Sequence, residues 1–214
     1  MKQERISNIE QEKITEIIKR SNQFVVLSGP SGSGKTMVIK HLTQNYGFVE
    51  PPFLTTRELR PNEQAIGGIN LDQKDFAKKE FGKKIFLPAH NYGNSYGYDL
   101  DIIFNIAVQG NNIVVEAPAS NLIQDVSGFL PQSTIIGILP ESRLELEQQL
   151  KQRGLNSDHD QQIRLQNYEI EKEKIIQASA LINIAKVIPT HGIPQDTLSQ
   201  IDRLMNLKGF KIKI

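Results

Sequence analysis

The run Phe24-Val25-Val26-Leu27-Ser28 leads without a break into Gly29-Pro30-Ser31-Gly32-Ser33-Gly34-Lys35-Thr36, and this junction constrains the chain more than any other stretch. An unbroken apolar run of this kind describes a strand buried on both faces, as in a parallel sheet covered by helices. The spacing that follows, Gly-x-x-x-x-Gly-Lys-Thr, is that of a loop whose amides line a concavity for phosphate oxygens. Gly29, Gly32 and Gly34 can take backbone angles closed to residues with a Cβ, so successive N–H groups can turn inward. Met37, Val38, Ile39 and Leu42 fall at helical spacing and predict a helix over 35–46, its positive end at the same concavity. Gly29, Ser31, Gly32, Ser33, Gly34, Lys35 and Thr36 are therefore the expected binding set for a nucleoside triphosphate. Lys35 is expected on the outer two phosphates and the Thr36 hydroxyl on Mg²⁺.

Further buried strands are expected over 113–117, 135–139 and 181–184. They alternate with helices over 99–109, 122–129, 142–153, 161–180 and 197–207. Such alternation predicts an α/β fold with a parallel sheet covered on both faces. A helix over 7–20, with Ser7 and Glu10 spaced as a capping box, is expected to pack beside this core. Between 49 and 98 the apolar pieces shorten and Pro51-Pro52, Pro61-Asn62 and Gly67-Gly68 interrupt them, which suggests a small strand-rich insertion with a short helix over 75–81.

A chain of 214 residues suits one domain with such an insertion. The net charge of +1 implies no broad nucleic-acid surface, and the absence of cysteine excludes disulfides, thiolate zinc sites and thiol nucleophiles. With no leader and no apolar run of membrane length in view, the expectation is a cytoplasmic protein, monomer or homodimer, with no nucleic-acid or membrane partner.

Two arginine groups lie outside the loop. Arg57 and Arg60 in the insertion, with Tyr96 downstream, offer a bidentate grip and a phenol to one anion; taken singly they read as a solvated face and a packed tyrosine. Arg153, just before Gly154, and Arg164 flank a polar stretch of the kind that forms a closing lid; taken singly they read as helix-surface charge. His90 reads as a polar packing residue.

Taken in order, these pieces resemble the guanylate kinase family over about 23–207. The pieces are the loop, Thr55-Thr56-Arg57-x-x-Arg60-Pro61-x-Glu63, Asp75-Phe76, Asn94-Ser95-Tyr96-Gly97, Leu150-x-x-Arg153-Gly154 and Arg164. The resemblance implies a P-loop kinase fold with a core at about 23–50 and 99–207, an acceptor-binding subdomain at about 51–98 and a lid at about 154–165. It implies ATP and Mg²⁺ as cofactors, Arg57, Arg60 and Tyr96 on the acceptor's phosphate, and Lys35, Arg153 and Arg164 on the transferring phosphoryl. Glu116, ending the 113–117 strand, falls at the first Asp of the family's Asp-x-Asp, where it either holds water on Mg²⁺ or contacts the acceptor.

The departures gather at the positions that read guanine: Phe53, Ile69 and Asn70, Leu87 or Pro88, Tyr98 and Pro118. Gln149 replaces the first lid arginine. Losing matched polar partners at a buried base edge costs discrimination of several powers of ten. The leading expectation is an ATP-dependent kinase for a nucleoside monophosphate of the GMP kind. The alternatives are a kinase for a non-guanine acceptor such as ribose 1,5-bisphosphate, a catalytically inactive binding module, and a nucleotide-switch ATPase or GTPase. Ala89-His90 ahead of Tyr96-Gly97 is the residue pattern that brings ribose 1,5-bisphosphate phosphokinase into view.

Overall fold

β1 (Phe24–Ser28) is buried along its whole length and pairs in parallel with β7 (Asn112–Glu116) on one side and β8 (Thr134–Pro140) on the other. β2 (Phe48–Val49) and β9 (Lys186–Thr190) extend the sheet in parallel at its two edges, giving the order β2-β7-β1-β8-β9. The computed structural model describes residues 12, 15–17, 19–20, 23–59, 64, 67–91, 93–122, 133–153, 158–181, 186–190 and 194–210; at 152–153, 158–160, 181 and 186–190 the description is of the backbone alone.

Successive side chains of a strand point to opposite faces, and β1 divides its apolar residues accordingly. Phe24 and Val26 join Ile113 and Val115 in a core closed by Ile103, Ala107, Ile175 and Ala178. Val25 and Leu27 join Val114 on the other face, against Val38, Ile39, Leu42, Ile201, Leu204 and Met205. The first core is covered by α3 (Leu100–Val108) and α6 (Asp158–Leu181), the second by α1 (Lys35–Tyr46) and α7 (Pro194–Leu207). α1 stops at Gly47, whose φ of 70° is left-handed and whose N–H donates to Leu42 O.

A second sheet joins β3 (Phe53–Thr55), β4 (Ile69–Asn70), β5 (Ile85–Asn91) and β6 (Asn94–Asp99) in the order β4-β3-β6-β5. α2 (Gln73–Phe81) lies against it, its buried Phe76 between Leu54 and Ile85. The β5–β6 register shifts between Phe86 and Ala89, where Leu87 carries a φ of 52°. Asp99 joins the two parts: it ends β6, caps α3 through the N–H groups of Asp101 and Ile102, and accepts from Lys79 Nζ at 2.8 Å.

α5 (Arg143–Arg153) packs on α6 through Leu146, Leu150, Leu165 and Tyr168. The Tyr168 hydroxyl donates to Pro140 O at 2.8 Å, tying α6 to the end of β8.

Of the strand expected over 181–184, Leu181 is described and closes α6, while 182–184 lie outside the described residues; the strand described after them is β9. The helix runs on because the preceding turn, Ala178-Ser179-Ala180, gives it no breaker and buries Ala178 in the core. The helix expected over 122–129 falls mostly outside the described residues; what is described is the short turn α4 (Ala119–Asn121) and the buried Leu122 beyond it. Of the expected helix over 7–20, residues 12, 15–17 and 19–20 are described and helical.

Candidate active site

The phosphate loop is wedged between β8 and α5. A Cβ on Gly29 would lie 2.2 Å from Ile138 O, and one on Gly32 would lie 2.9 Å from both Leu146 Cδ1 and Leu150 Cδ2. Gly32 and Gly34 have φ of 105° and 96°, angles that carry the chain around the concavity and that residues with a Cβ rarely take. Gly34 then caps α1 with no side-chain hydrogen bond and no acidic residue in the first turn. α2 and α3, by contrast, are capped by the carboxylates of Asp72 and Asp99. The positive end of α1 is thus left for an anion from outside the chain. The Ser33 hydroxyl in the same loop is buried with no hydrogen-bond partner among the described residues.

Lys35, mostly buried, donates from Nζ to Gly29 O at 2.9 Å and to Pro30 O at 3.1 Å. Its ammonium is 3.9 Å from Glu116 Oε2. Thr36, the next residue, is exposed. Among the described residues no group of three or more His, Cys, Asp or Glu could hold a metal ion alone. Mg²⁺ is usually held by one or two protein oxygens together with substrate phosphates, and an exposed Thr36 hydroxyl at the mouth of the loop fits that use.

One side chain of α6 is seen to bond the loop: Arg164 donates from Nη1 to Ser31 Oγ. Burial pushes the Glu171 carboxyl up, while Lys35, Lys174, Arg164 and the Ser31 N–H pull against that rise.

At the carboxyl edge of the sheet stand two carboxylates. Val49 pairs with Ile113 across β2 and β7, so Glu50 lies beside the strand that ends in Glu116. Burial, then the neighbouring Glu116 charge, pushes the Glu50 carboxyl up to about 7. The Glu116 N–H donates to the Tyr98 hydroxyl at 2.8 Å. Burial also holds that hydroxyl well above its ordinary range.

On the second sheet, Arg57 and Tyr96 sit on neighbouring segments. Thr56 N–H donates to Ser95 O at 3.0 Å, Ser95 N–H to Thr56 Oγ1 at 2.9 Å, and Tyr96 pairs with Thr55. Arg57 is half-buried, its N–H on Thr55 Oγ1 at 3.1 Å and its Nη1 on Glu58 O at 2.6 Å. Asn70 Nδ2 holds Arg57 O at 2.7 Å. Arg60 lies outside the described residues, and Arg153 is described as the last backbone position of α5. His90, its side chain exposed, is bonded by Nδ1 to Ser95 Oγ at 3.0 Å and by Nε2 to Glu80 Oε1 at 2.9 Å, with its ring edge-on to Phe76.

The described contacts thus bring Lys35, Glu116 and Arg164 together around the loop, with Arg57 and Tyr96 on the second sheet. The sequence reading missed Glu50 and Glu171. Glu171 carried one available signal, its place seven residues after Arg164 and so on the same helical face. Glu50, a carboxylate between two apolar strand pieces, carried less. Of the positions expected to read guanine, Leu87 and Tyr98 are buried in the core with Phe86, and Phe53 packs against that cluster. Gln149 is tied to Glu145 Oε1 at 3.0 Å.

A parallel sheet with a glycine-lined phosphate loop after its first strand, and an arginine of a following helix on that loop, defines a P-loop kinase fold. A solved guanylate kinase from Anaplasma phagocytophilum has the same fold, with a TM-score of 0.62 at 19% identity over 90% of this chain and 88% of that one. The guanylate kinase family model matches residues 21–185. A guanylate kinase of Synechococcus sp. (strain JA-3-3Ab) is 32% identical over 148 residues, 67% of each chain. One of Prochlorococcus marinus (strain MIT 9312) is 31% identical over 143 residues, 66% of this chain and 77% of that protein. The chain belongs to the guanylate kinase family, and with it to the nucleoside-monophosphate-kinase-like phosphotransferases.

Proposed function

We propose that this protein transfers the γ-phosphoryl of ATP to the phosphate of a small acceptor, a nucleoside monophosphate of the GMP kind first among them. The observation that carries this reading is the Lys35 ammonium, buried on the loop's own carbonyls within 4 Å of the Glu116 carboxylate at the sheet edge where an acceptor would enter. In open parallel sheets, ligands bind outside the carboxyl ends of the strands, and both Glu116 and the loop stand there.

In this reading the protein's work is positioning and charge neutralisation. Loop amides hold the β-phosphate and Lys35 leaves its two carbonyls for the outer phosphates. Arg153 and Arg164, from the two ends of a lid at about 154–165, move onto the transferring group. Arg57, Arg60 and Tyr96 hold the acceptor's phosphate, within a subdomain spanning about 51–98, and Glu116 orients the acceptor or a water at the metal. An acceptor phosphate oxygen bonds to the γ-phosphorus as the bond to the β–γ bridging oxygen breaks, and that electron pair leaves with ADP. The Thr36 hydroxyl would hold Mg²⁺, which would supply charge neutralisation at the phosphoryl oxygens.

A second reading, a phosphorylated acceptor without guanine, is favoured by one observation. Leu87 and Tyr98, at two guanine-reading positions, are built into the apolar core. Coupled ADP release with GMP, dGMP, other monophosphates and ribose 1,5-bisphosphate separates the two. ATP binding without turnover on any of these would remove both.

A further inference from the structure

The last ladder pair between β3 and β4 sets Thr55 against Asn70. Arg57 lies just past that pair, and two side chains hold its main chain. Its N–H donates to Thr55 Oγ1 at 3.1 Å, a local bond of the kind a short hydroxyl side chain makes to the backbone two residues on. Its carbonyl accepts from Asn70 Nδ2 at 2.7 Å. The same Nδ2 donates to Thr55 O at 3.3 Å, an oxygen that also takes the Leu71 N–H at 2.9 Å. One amide nitrogen with two hydrogens thus spans the carbonyls on either side of Thr56. That fixes which way the amide faces, since the reverse placement would set Oδ1 against two carbonyl oxygens.

The second sheet does not depend on this contact. β4 is joined to β3 by the Leu71 N–H on Thr55 O, and Ile69 packs against the cluster of Leu54, Phe76 and Ile85. Asn70 itself is exposed, where a side-chain hydrogen bond competes with water and adds little to stability. Its effect is local. With N–H and carbonyl both held, residue 57 has its backbone angles fixed, and with them the direction in which the arginine leaves the chain. A long side chain reaches one point reproducibly only from a fixed root, because every loose torsion must be ordered when the ligand binds.

We propose that Asn70 is a positioning residue for acceptor binding: it fixes the root of Arg57, so that the guanidinium is presented to the acceptor's phosphate. This rests on the phosphotransferase reading for the role of Arg57, and on the two Asn70 hydrogen bonds for the geometry. Asn70 falls among the positions expected to read guanine, yet its amide nitrogen is engaged by the main chain. It therefore acts on the phosphate end of the acceptor, through Arg57.

The test uses the full chain as wild type, N70A, N70D, R57A and the N70A/R57A double variant. Amide exchange at Arg57 and Leu71 is followed by NMR without nucleotide, with melting temperature as the fold control. Both KM values and kcat are measured with ATP and GMP, or with ribose 1,5-bisphosphate where GMP is not turned over. In N70A, the Arg57 N–H should exchange about tenfold faster or more, while Leu71, in the ladder, stays within about threefold. N70D keeps the shape without the donors, so it should lose the Arg57 protection as N70A does. It is read by exchange alone, because its charge would itself repel an anion. The acceptor KM of N70A should rise about tenfold, with kcat and the KM for ATP within about threefold of wild type. Adding N70A to R57A should raise the acceptor KM no further, since the two act as one unit.

Unchanged Arg57 exchange in N70A overturns the proposal, and so does wild-type protection in N70D. An acceptor KM in the double variant equal to the product of the two single effects overturns it as well. Faster exchange at Leu71, with a lower melting temperature and equal rises in both KM values, would show that Asn70 only holds the sheet. If wild type turns over neither acceptor, the phosphotransferase reading fails by itself, and exchange at Arg57 decides whether Asn70 fixes its root.

Discussion

The N–H of Glu116 donates to the Tyr98 hydroxyl at 2.8 Å, joining the last strand of the second sheet to the carboxyl end of a core strand. Asn121 Nδ2, donating to Pro88 O at 2.9 Å, makes a second tie between the same two parts. Together they set the second sheet at the edge where Glu50, Glu116 and Lys35 meet. Tyr98→Phe keeps the ring in the core but leaves the Glu116 N–H without this acceptor, a loss of about 1–3 kcal/mol for a buried donor. In a chain of this size that lowers the melting temperature by a few degrees, at about 2–4 °C per kcal/mol. The KM for acceptor should rise more than the KM for ATP, because the displaced part carries Arg57 and Tyr96. Calorimetric melting and two-substrate kinetics check both halves; equal changes in the two KM values would mean that Tyr98 does not register the second sheet.

Glu50 makes stability depend on pH. Its carboxyl titrates near 7 in the folded chain against 4.5 for an unperturbed glutamate. Between those values the folded state keeps a proton that the unfolded state has released, so stability falls as pH rises through that window. Below it and above it the group contributes no slope. Glu50→Gln removes the buried charge, so the variant should melt higher than wild type at pH 8 and nearly level with it at pH 4.5. Melting curves at pH 4.5, 6, 7 and 8 test this; parallel profiles for the two proteins would show that Glu50 ionises without strain.

What could be read from the sequence was whatever the chain specifies locally. The loop between β1 and α1 combines a strand, glycines and a helix in consecutive residues, and the helix expected over 35–46 ends at Gly47 in a left-handed cap. The second sheet was legible as an insertion because Pro and Gly pairs break its apolar pieces, though its strand order was not. β9 was missed for a physical reason. Its Pro189 argues against a central strand, but β9 is an edge strand paired on one side, where a missing N–H is tolerated. The Ser31–Arg164 contact spans 133 residues of chain, and no spacing rule reports a contact of that range.

Gly32 offers a test confined to the loop. Its φ of 105° is closed to alanine, and the added Cβ would meet Leu146 Cδ1 and Leu150 Cδ2 at 2.9 Å. Those leucine methyls can give way, so the backbone angle sets the effect, a strain of about 1–3 kcal/mol at a residue forced into a sparsely populated region. Gly32→Ala should therefore fold while binding ATP about tenfold or more weakly, as measured by calorimetry in the presence of Mg²⁺. Wild-type affinity in this variant would mean that the loop's closed shape is not what ATP recognises.

Arg57 and Lys35 should separate acceptor binding from chemistry. Arg57 lies on the second sheet, held through its backbone by Thr55 Oγ1 and Asn70 Nδ2, so removing its side chain leaves the local hydrogen bonds of the main chain in place. A charged hydrogen bond to a phosphate is worth about 1.5–3 kcal/mol, so Arg57→Ala should raise acceptor KM by roughly 10–100-fold. Its kcat should change less than about threefold if the bond is equally strong in ground and transition states. Lys35→Ala acts on the other side of the transfer. In the proposed mechanism its ammonium neutralises charge that develops as the phosphoryl moves, and removing one such donor costs about 10²–10³-fold in kcat. Initial rates over a grid of ATP and acceptor concentrations distinguish the two patterns. An Arg57→Ala enzyme with unchanged acceptor KM would place the acceptor's phosphate away from the second sheet. A Lys35→Ala enzyme with wild-type kcat would remove the loop from the chemistry altogether.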